Sequence, residues 1–125
     1  MQLDFLPHGS PDCPLIRLFD FTPNEARQLE ELVSDLATGR VRSVALHELN
    51  WLIAAGEIEL TFRTQGWDQD IIKIGPNAFE CGLTTVTWEN VAGLIEPFTE
   101  SSDGCQWLSS GPGEAKLLFS VSGQW

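Results

Sequence analysis

A short sequence pattern occurs twice in this chain of 125 residues. The pattern Gly-Glu-x-x-Leu-x-Phe-x-x-x-Gly covers residues 56–66 and recurs over residues 113–123, at a constant offset of 57 positions. A Trp-Leu pair precedes each copy, and a tryptophan follows each one. A repeated supersecondary unit restricts the architectures open to a chain before any single residue is interpreted. Five matches can also arise by chance, so an internal duplication is a hypothesis, with possible repeats over residues 15–67 and 79–125.

Residues 22–39 carry the clearest helix signal in the chain. Thr22 can act as the N-cap, Pro23 suits the first helical position, and Glu25 completes a capping box. Gly39 follows the last apolar residue and is typical of a helix end. A second helix is predicted to begin after Thr87, again as N-cap. The first helix carries one apolar stripe, made of Ala26, Leu29, Leu32, Val33, Leu36 and Ala37.

Alternating apolar residues predict strands over 41–49, 57–63, 71–74 and 79–83, and further strands flank the two helices. Prolines and turn formers predict an irregular arm over residues 1–14. The fold predicted from these signals is α+β: a mainly antiparallel sheet of six to eight strands with two amphipathic helices on one face, in one globular domain over 1–125. The alternative is two strand-helix-strand-strand lobes related by a pseudo-two-fold axis, with any ligand cleft at their seam.

Composition excludes several classes of protein. Apolar residues make up 42% of the chain, which is ordinary for a globular domain, and no apolar run approaches the length of a membrane span. Seven basic and eighteen acidic residues give a net charge of −11, which repels phosphate backbones and disfavours nucleic-acid binding. Without a recognisable signal segment, a cytoplasmic location is the default expectation.

Motifs for catalysis or cofactor binding are missing from the sequence. It has no Gly-x-Ser-x-Gly, Walker, Rossmann or His-Glu-x-x-His pattern, so no cofactor and no catalytic residue is assigned. The glycine-rich stretch 109–113 lacks a lysine and is interpreted as a hairpin turn. Cys13, Cys81 and Cys105 fit neither a disulfide framework nor a zinc site, and we expect free thiols with Cys81 buried in a strand. No metal site is assigned.

Five residues are candidates for a binding site. In the stretch Trp67-Asp68-Gln69-Asp70, two carboxylates lie beside an aromatic ring on a predicted turn, where they can bind a cation or a polar ligand. The alternative is a hydrophilic turn anchored by a buried indole. Trp125 suggests a packed terminus or an interface anchor. His47 is expected on an edge strand, and an acid–base pair with Glu48 is disfavoured because adjacent strand residues face opposite sides.

Three functions remain open at this point. The leading hypothesis is a non-enzymatic binding or protein-interaction domain that binds a protein partner or forms a homodimer. The second is a small enzyme or ligand-binding protein whose site lies at the seam of the two halves, with Trp67, Asp68, Asp70 and His47 as its polar wall. The third, motivated by the charge of −11, is an acidic inhibitor or decoy of a basic protein.

Overall fold

A computed structural model of the protein describes residues 1–109, 111 and 113–125, so the turn predicted over 109–113 lies partly outside the described residues. Within them the chain has an α+β fold of nine strands and two α-helices, with 3-10 turns over 46–48, 55–57 and 96–99. The elements are β1 Gln2–Leu6, β2 Leu15–Phe19, α1 Pro23–Thr38, β3 Ser43–Ala45, β4 Ile53–Ala54, β5 Glu59–Thr64, β6 Asp70–Gly75, β7 Ala78–Leu83, α2 Thr85–Ile95, β8 Cys105–Ser109 and β9 Lys116–Ser120.

The strands form two mixed sheets, which corrects the prediction of one mainly antiparallel sheet. Sheet A has the order β4-β1-β2-β9-β8, and sheet B has the order β3-β5-β7-β6. Four pairs are antiparallel, but β2 runs parallel to β9, β5 runs parallel to β7, and β4 runs parallel to β1. The two central parallel pairs arise because each sheet joins strands from the first half of the chain to strands from the second half.

The two sheets share one pattern of neighbours. The last four strands of sheet A have the order β1-β2-β9-β8, and sheet B, read from its other edge, has the order β6-β7-β5-β3. In this comparison β1 corresponds to β6, β2 to β7, β9 to β5 and β8 to β3. The backbone hydrogen bonds correspond as well. The Lys116 N–H donates to the Pro14 carbonyl at 3.1 Å, and the Glu59 N–H donates to the Asn77 carbonyl at 2.8 Å. Lys116 and Glu59 are therefore counterparts, at the same offset of 57 as the sequence pattern.

This correspondence differs from the predicted repeat in its bounds and in its arrangement. Apart from the short strand β4 in the first half, each half has the order strand-strand-helix-strand-strand, and the predicted repeats over 15–67 and 79–125 omit the first strand of each half, β1 or β6. The strands of one unit are also divided between the two sheets, so the units are not separate lobes. Both sheets and both helices instead contribute to a single hydrophobic core, and Leu60, Phe62, Leu117 and Phe119 in that core are at most 2% exposed.

The first helix begins and ends as predicted. The Thr22 hydroxyl accepts a hydrogen bond from the Glu25 N–H at 3.2 Å, and the Glu25 carboxylate accepts one from the Thr22 N–H at 3.0 Å. Gly39 adopts a left-handed conformation with φ 78° and ends the helix. The capping-box prediction is confirmed. It could be made from the sequence because the signal depends only on residues three positions apart.

The second helix begins three residues earlier than predicted. Its N-cap is Thr84, whose hydroxyl accepts a hydrogen bond from the Thr87 N–H at 3.3 Å, so the assignment of Thr87 as N-cap was wrong. Both threonines are suitable caps. The choice depends on Trp88, which is buried and donates its indole N–H to the Arg63 carbonyl at 3.0 Å, and so fixes the rotation of the helix.

The first five residues after Met1 form a strand, although the sequence predicted an irregular arm over 1–14. Leu3 is fully buried and pairs with Leu18 of β2, and Phe5 packs against the core. The turn formers that suggested an arm all follow Leu6, so only residues 7–14 are irregular. Five residues are an ordinary strand length, but the proline-rich stretch that follows them dominated the local signal.

The outer faces of the two sheets are covered differently. On sheet A, Leu15 and Leu118 are fully buried outside the main core. Hydrogen bonds from Lys116 to Asp12 and from Arg17 to the Gly123 carbonyl hold residues 7–14 and 121–125 to this sheet. On sheet B the corresponding face is open: the Glu59 side chain is 60% exposed there. The connection between β6 and β7 has only two residues, 76–77, whereas the connection between β1 and β2 has eight.

Candidate functional site

The five predicted site residues do not form one cluster. Trp67 and Asp68 lie next to the start of α2, Asp70 begins β6, and His47 lies in the 3-10 turn after β3. Trp125 contacts the segment 7–14 on the outer face of sheet A. The polar wall predicted from Trp67, Asp68, Asp70 and His47 is therefore not assembled, and each residue is described by its own contacts.

Asp68 holds the N-terminus of α2. Its carboxylate accepts hydrogen bonds from the Thr84 N–H at 2.8 Å and from the Thr87 hydroxyl at 2.7 Å. The bond from the Thr84 N–H, followed by that from the Thr87 hydroxyl, lowers the pKa of Asp68 below its usual range. Both carboxylate oxygens have partners in the protein, so Asp68 acts as a structural acceptor for the helix.

Replacing Asp68 with alanine should lower the free energy of unfolding by about 1 kcal/mol at pH 7, because both side-chain acceptors at the helix N-terminus are lost. Because the folded-state pKa is lowered, the contribution of the carboxylate is fully present above the unfolded pKa of about 3.9 and is lost as the pH falls through the folded value. Urea denaturation at pH 7 and at pH 3 measures this difference, which should shrink at the lower pH. Glu89→Gln, at an exposed position of the same helix, removes the same charge and should change stability by less than about 0.5 kcal/mol.

Trp67 is an exposed aromatic residue on a well-held segment. Its backbone carbonyl accepts a hydrogen bond from the Gln65 side chain at 3.0 Å, and the adjacent Asp68 is fixed to α2. Trp67 itself is 60% exposed, and Val86, in the first turn of the helix that Asp68 caps, is 66% exposed. The indole is thus not the buried anchor of a turn. We call Trp67 and Val86 together the Trp67 surface.

Asp70 links the two sheets at one corner of the fold. It has a left-handed backbone with φ 62°, and its carboxylate accepts a hydrogen bond from the Ser109 hydroxyl at 3.2 Å. Ser109 ends β8 of sheet A, and Asp70 begins β6 of sheet B. The side chain therefore connects two strand ends, and its role is structural.

Trp125 is partly packed. Its indole N–H donates to the Asp12 carboxylate at 2.9 Å, and the Lys116 ammonium group lies 3.0 Å from the other oxygen of that carboxylate. The Lys116 contact, followed by the Trp125 contact, lowers the pKa of Asp12. Trp125 thus helps to hold the segment 7–14 onto Lys116, although the residue is 46% exposed.

His47 lies where the chain leaves sheet B. The strand predicted over 41–49 stops after β3, and His47 is in the 3-10 turn that follows instead of on an edge strand facing solvent. Its Nδ1 accepts a hydrogen bond from the Leu60 N–H at 3.1 Å and replaces the missing strand partner of β5. The other ring nitrogen, Nε2, lies 3.4 Å from a carboxylate oxygen of Glu59.

A cavity of about 570 Å³ opens beside His47 and Glu59. It lies where residues 54–59 of the first half meet the turn 76–77 of the second half. Glu57 at its rim has a left-handed backbone with φ 62°, a conformation that residues other than glycine rarely adopt and that concentrates at functional sites. We call this cavity the seam cavity. Its lining residues are His47, Ala54, Glu57, Ile58, Glu59, Pro76 and Asn77.

Sequence reasoning missed Glu57 and Glu59 as candidate residues. They alternate with the buried Ile58 and Leu60, a pattern interpreted as the solvated face of a strand. A signal was nevertheless present in the repeat. When the two copies are aligned at the offset of 57, the acidic Glu59 occupies the same position as the basic Lys116.

The three cysteines are free, as predicted, and Cys81 is buried in β7. Burial raises the pKa of the Cys81 thiol, which keeps it protonated and unreactive. Across the described residues, no group of three or more His, Cys, Asp or Glu side chains is placed to hold a metal ion. Neither helix in the described part of the chain is both long and apolar enough to span a membrane.

No family model, curated protein or solved structure matches this chain. The site is therefore interpreted from its own geometry.

Proposed function

We propose that this protein is a non-enzymatic interaction domain that binds a protein partner through the Trp67 surface. The observation that supports this function is the exposure of Trp67 and Val86, at 60% and 66%, at the same end of α2. Tryptophan is enriched among the residues that dominate binding energy at protein interfaces. Covering exposed apolar side chains on binding is favourable, because it removes their surface from water.

The way Trp67 is held also favours binding. The Gln65 side chain and the contacts of Asp68 fix the backbone on both sides of the indole before any partner arrives. A side chain presented from a fixed backbone loses less conformational entropy on binding than one on a mobile loop. The roles of Asp68 and Asp70 in the fold leave Trp67 as the predicted site residue that is free to contact a partner there.

We also infer that the two halves descend from one strand-strand-helix-strand-strand unit. The shared order of strands, the matching hydrogen bonds of Lys116 and Glu59, and the common burial of the repeated leucines and phenylalanines support this origin. A duplicated scaffold retains the same core at both sites while its surfaces diverge. The Trp67 surface is one of the surfaces that have diverged.

Site-specific photo-crosslinking tests the proposed docking. A photoreactive phenylalanine analogue at position 67 or 86, in cells that express the protein naturally, should give one covalent product with a partner protein. The matched control places the same analogue at position 53, because Ile53 is similarly exposed, at 63%, but lies on β4 of sheet A. Unlabelled wild-type chain, added as a competitor, should make the product disappear. Unlabelled Trp67→Ala should compete less well.

Two outcomes would contradict this function. Equal products from positions 53 and 67 would show that crosslinking reports exposure alone. A product that contains only two copies of this chain would show that the Trp67 surface forms a homodimer and does not bind a different protein.

A further inference from the structure

The position of the seam cavity has a counterpart on the other sheet that the chain itself partly covers. Lys116 corresponds to Glu59, and each is the first residue of a strand that runs parallel to the strand beside it. On sheet A the eight-residue connection 7–14 covers Lys116. On sheet B the connection at the same place has two residues, 76–77, and the cavity of about 570 Å³ occupies the space beside it.

The partly covered counterpart shows what kind of contact this position makes. The Asp12 carboxylate, carried by the covering segment, lies 3.0 Å from the Lys116 ammonium group. At the seam cavity the charge of the strand residue is reversed, because Glu59 replaces Lys116. A segment that covered Glu59 in the same way would therefore have to carry a cation.

The other side chains of the cavity agree with a cationic occupant. Glu57 adds a second exposed carboxylate, and a carboxylate oxygen of Glu59 lies 3.4 Å from His47 Nε2. Ala54, Ile58 and Pro76 give the cavity an apolar part that can contact the methylene groups of a long side chain. Lining residues other than His47 include no base, and the chain as a whole has a net charge of −11.

We propose that the seam cavity binds a lysine- or arginine-bearing peptide segment of a basic partner, with its cationic side chain on Glu57 and Glu59. The segment lies where residues 7–14 lie on the other sheet. This site is at the start of β5, whereas Trp67 follows the end of that strand, so the inference goes beyond the proposed docking at Trp67 and does not depend on it.

The backbone of Glu57 allows a test that separates binding from folding. Asparagine tolerates the left-handed conformation better than glutamate does, so Glu57→Asn relieves strain while it removes a carboxylate. The variant Glu57→Asn combined with Glu59→Gln should be at least as stable as the wild type in urea denaturation. A purely structural role for Glu57 predicts the opposite result.

Binding is measured with an acetylated and amidated tri-arginine peptide at low ionic strength, by backbone amide chemical shifts. Shifts should concentrate on residues 54–59 and 76–77, and the dissociation constant should rise about tenfold or more in the double variant because two charge-assisted contacts are lost. The matched control, Glu31→Gln with Glu89→Gln, removes two charges at exposed positions of α1 and α2 and should change the constant less than about twofold. Trp67→Ala should leave it unchanged, which distinguishes this site from the Trp67 surface.

Three results would overturn the proposal. Equal weakening in the two double variants would mean that the peptide responds to net charge alone. Shifts spread over the whole acidic surface would mean the same. Free arginine that binds as tightly as the peptide would show that no peptide segment is recognised.

Discussion

Replacing Phe119 with alanine should lower the free energy of unfolding by about 3–5 kcal/mol. The ring is fully buried on β9, an interior strand of sheet A. It stacks on Phe21 with centroids 4.1 Å apart and meets Phe98 edge-on at 5.0 Å, so truncation removes aromatic contacts and leaves a cavity. Urea denaturation followed by circular dichroism measures the loss. If the mutant fails to fold, Phe119→Leu should still cost about 1 kcal/mol or more.

The matched comparison uses the counterpart in the other sheet. Phe62 is 1% exposed in β5 and packs on the Trp88 ring at 4.9 Å, so Phe62→Ala should fall in the same range of about 3–5 kcal/mol. Val86→Ala, at an exposed position, should change stability by less than about 0.5 kcal/mol. A small effect at position 62 beside a large one at 119 would mean that the two sheets do not use the repeated phenylalanine in the same way.

Replacing Arg17 with methionine should lower the free energy of unfolding by about 3 kcal/mol, the lower end of the range for breaking a buried ion pair. The lower end applies because both partners remain 18% exposed. The guanidinium group donates two hydrogen bonds to the Asp4 carboxylate and one, at 3.0 Å, to the Gly123 carbonyl. It also lies over the Phe19 ring at 4.3 Å. Methionine retains the packing of the chain but leaves the Asp4 carboxylate without its counter-charge.

A double variant isolates that uncompensated charge. Asp4→Asn combined with Arg17→Met removes both charges, and it should be more stable than Arg17→Met alone by about 1 kcal/mol or more. Denaturation curves for the wild type, Asp4→Asn, Arg17→Met and the double variant complete the cycle. No recovery in the double variant would mean that Arg17 stabilises the fold through its contacts with Gly123 and Phe19, with little contribution from Asp4.

Local signals in the sequence were sufficient for the first helix. The side chains of Thr22 and Glu25 satisfy backbone groups within the same turn, so their spacing alone predicted the first cap correctly. The second cap depended on a longer-range contact. Trp88 reaches the Arg63 carbonyl, 25 residues earlier in the chain, and this bond favours Thr84 over Thr87. The mixed sheets were missed for a related reason: alternation identifies the buried face of a strand but not the direction of its neighbour.

The candidate site was only partly predictable. The exposure of Trp67 follows from the capping role of Asp68, which requires knowledge that residue 68 meets residues 84 and 87. His47 was a candidate on account of its residue type, but its orientation depends on the Leu60 N–H that β3 leaves free. Glu57 and Glu59 gain significance only from the short turn opposite them, which sequence patterning treats as an ordinary loop.

The division of each unit between two sheets has a consequence for synthesis on the ribosome. Strand β2 emerges early, yet its parallel neighbour β9 is the last strand of sheet A to be made. Sheet A therefore cannot close while residues 116–120 are still inside the exit tunnel. Nascent chains must keep the apolar side of β2 out of contact with other proteins until then, a period in which chaperones that bind exposed strands have access to it.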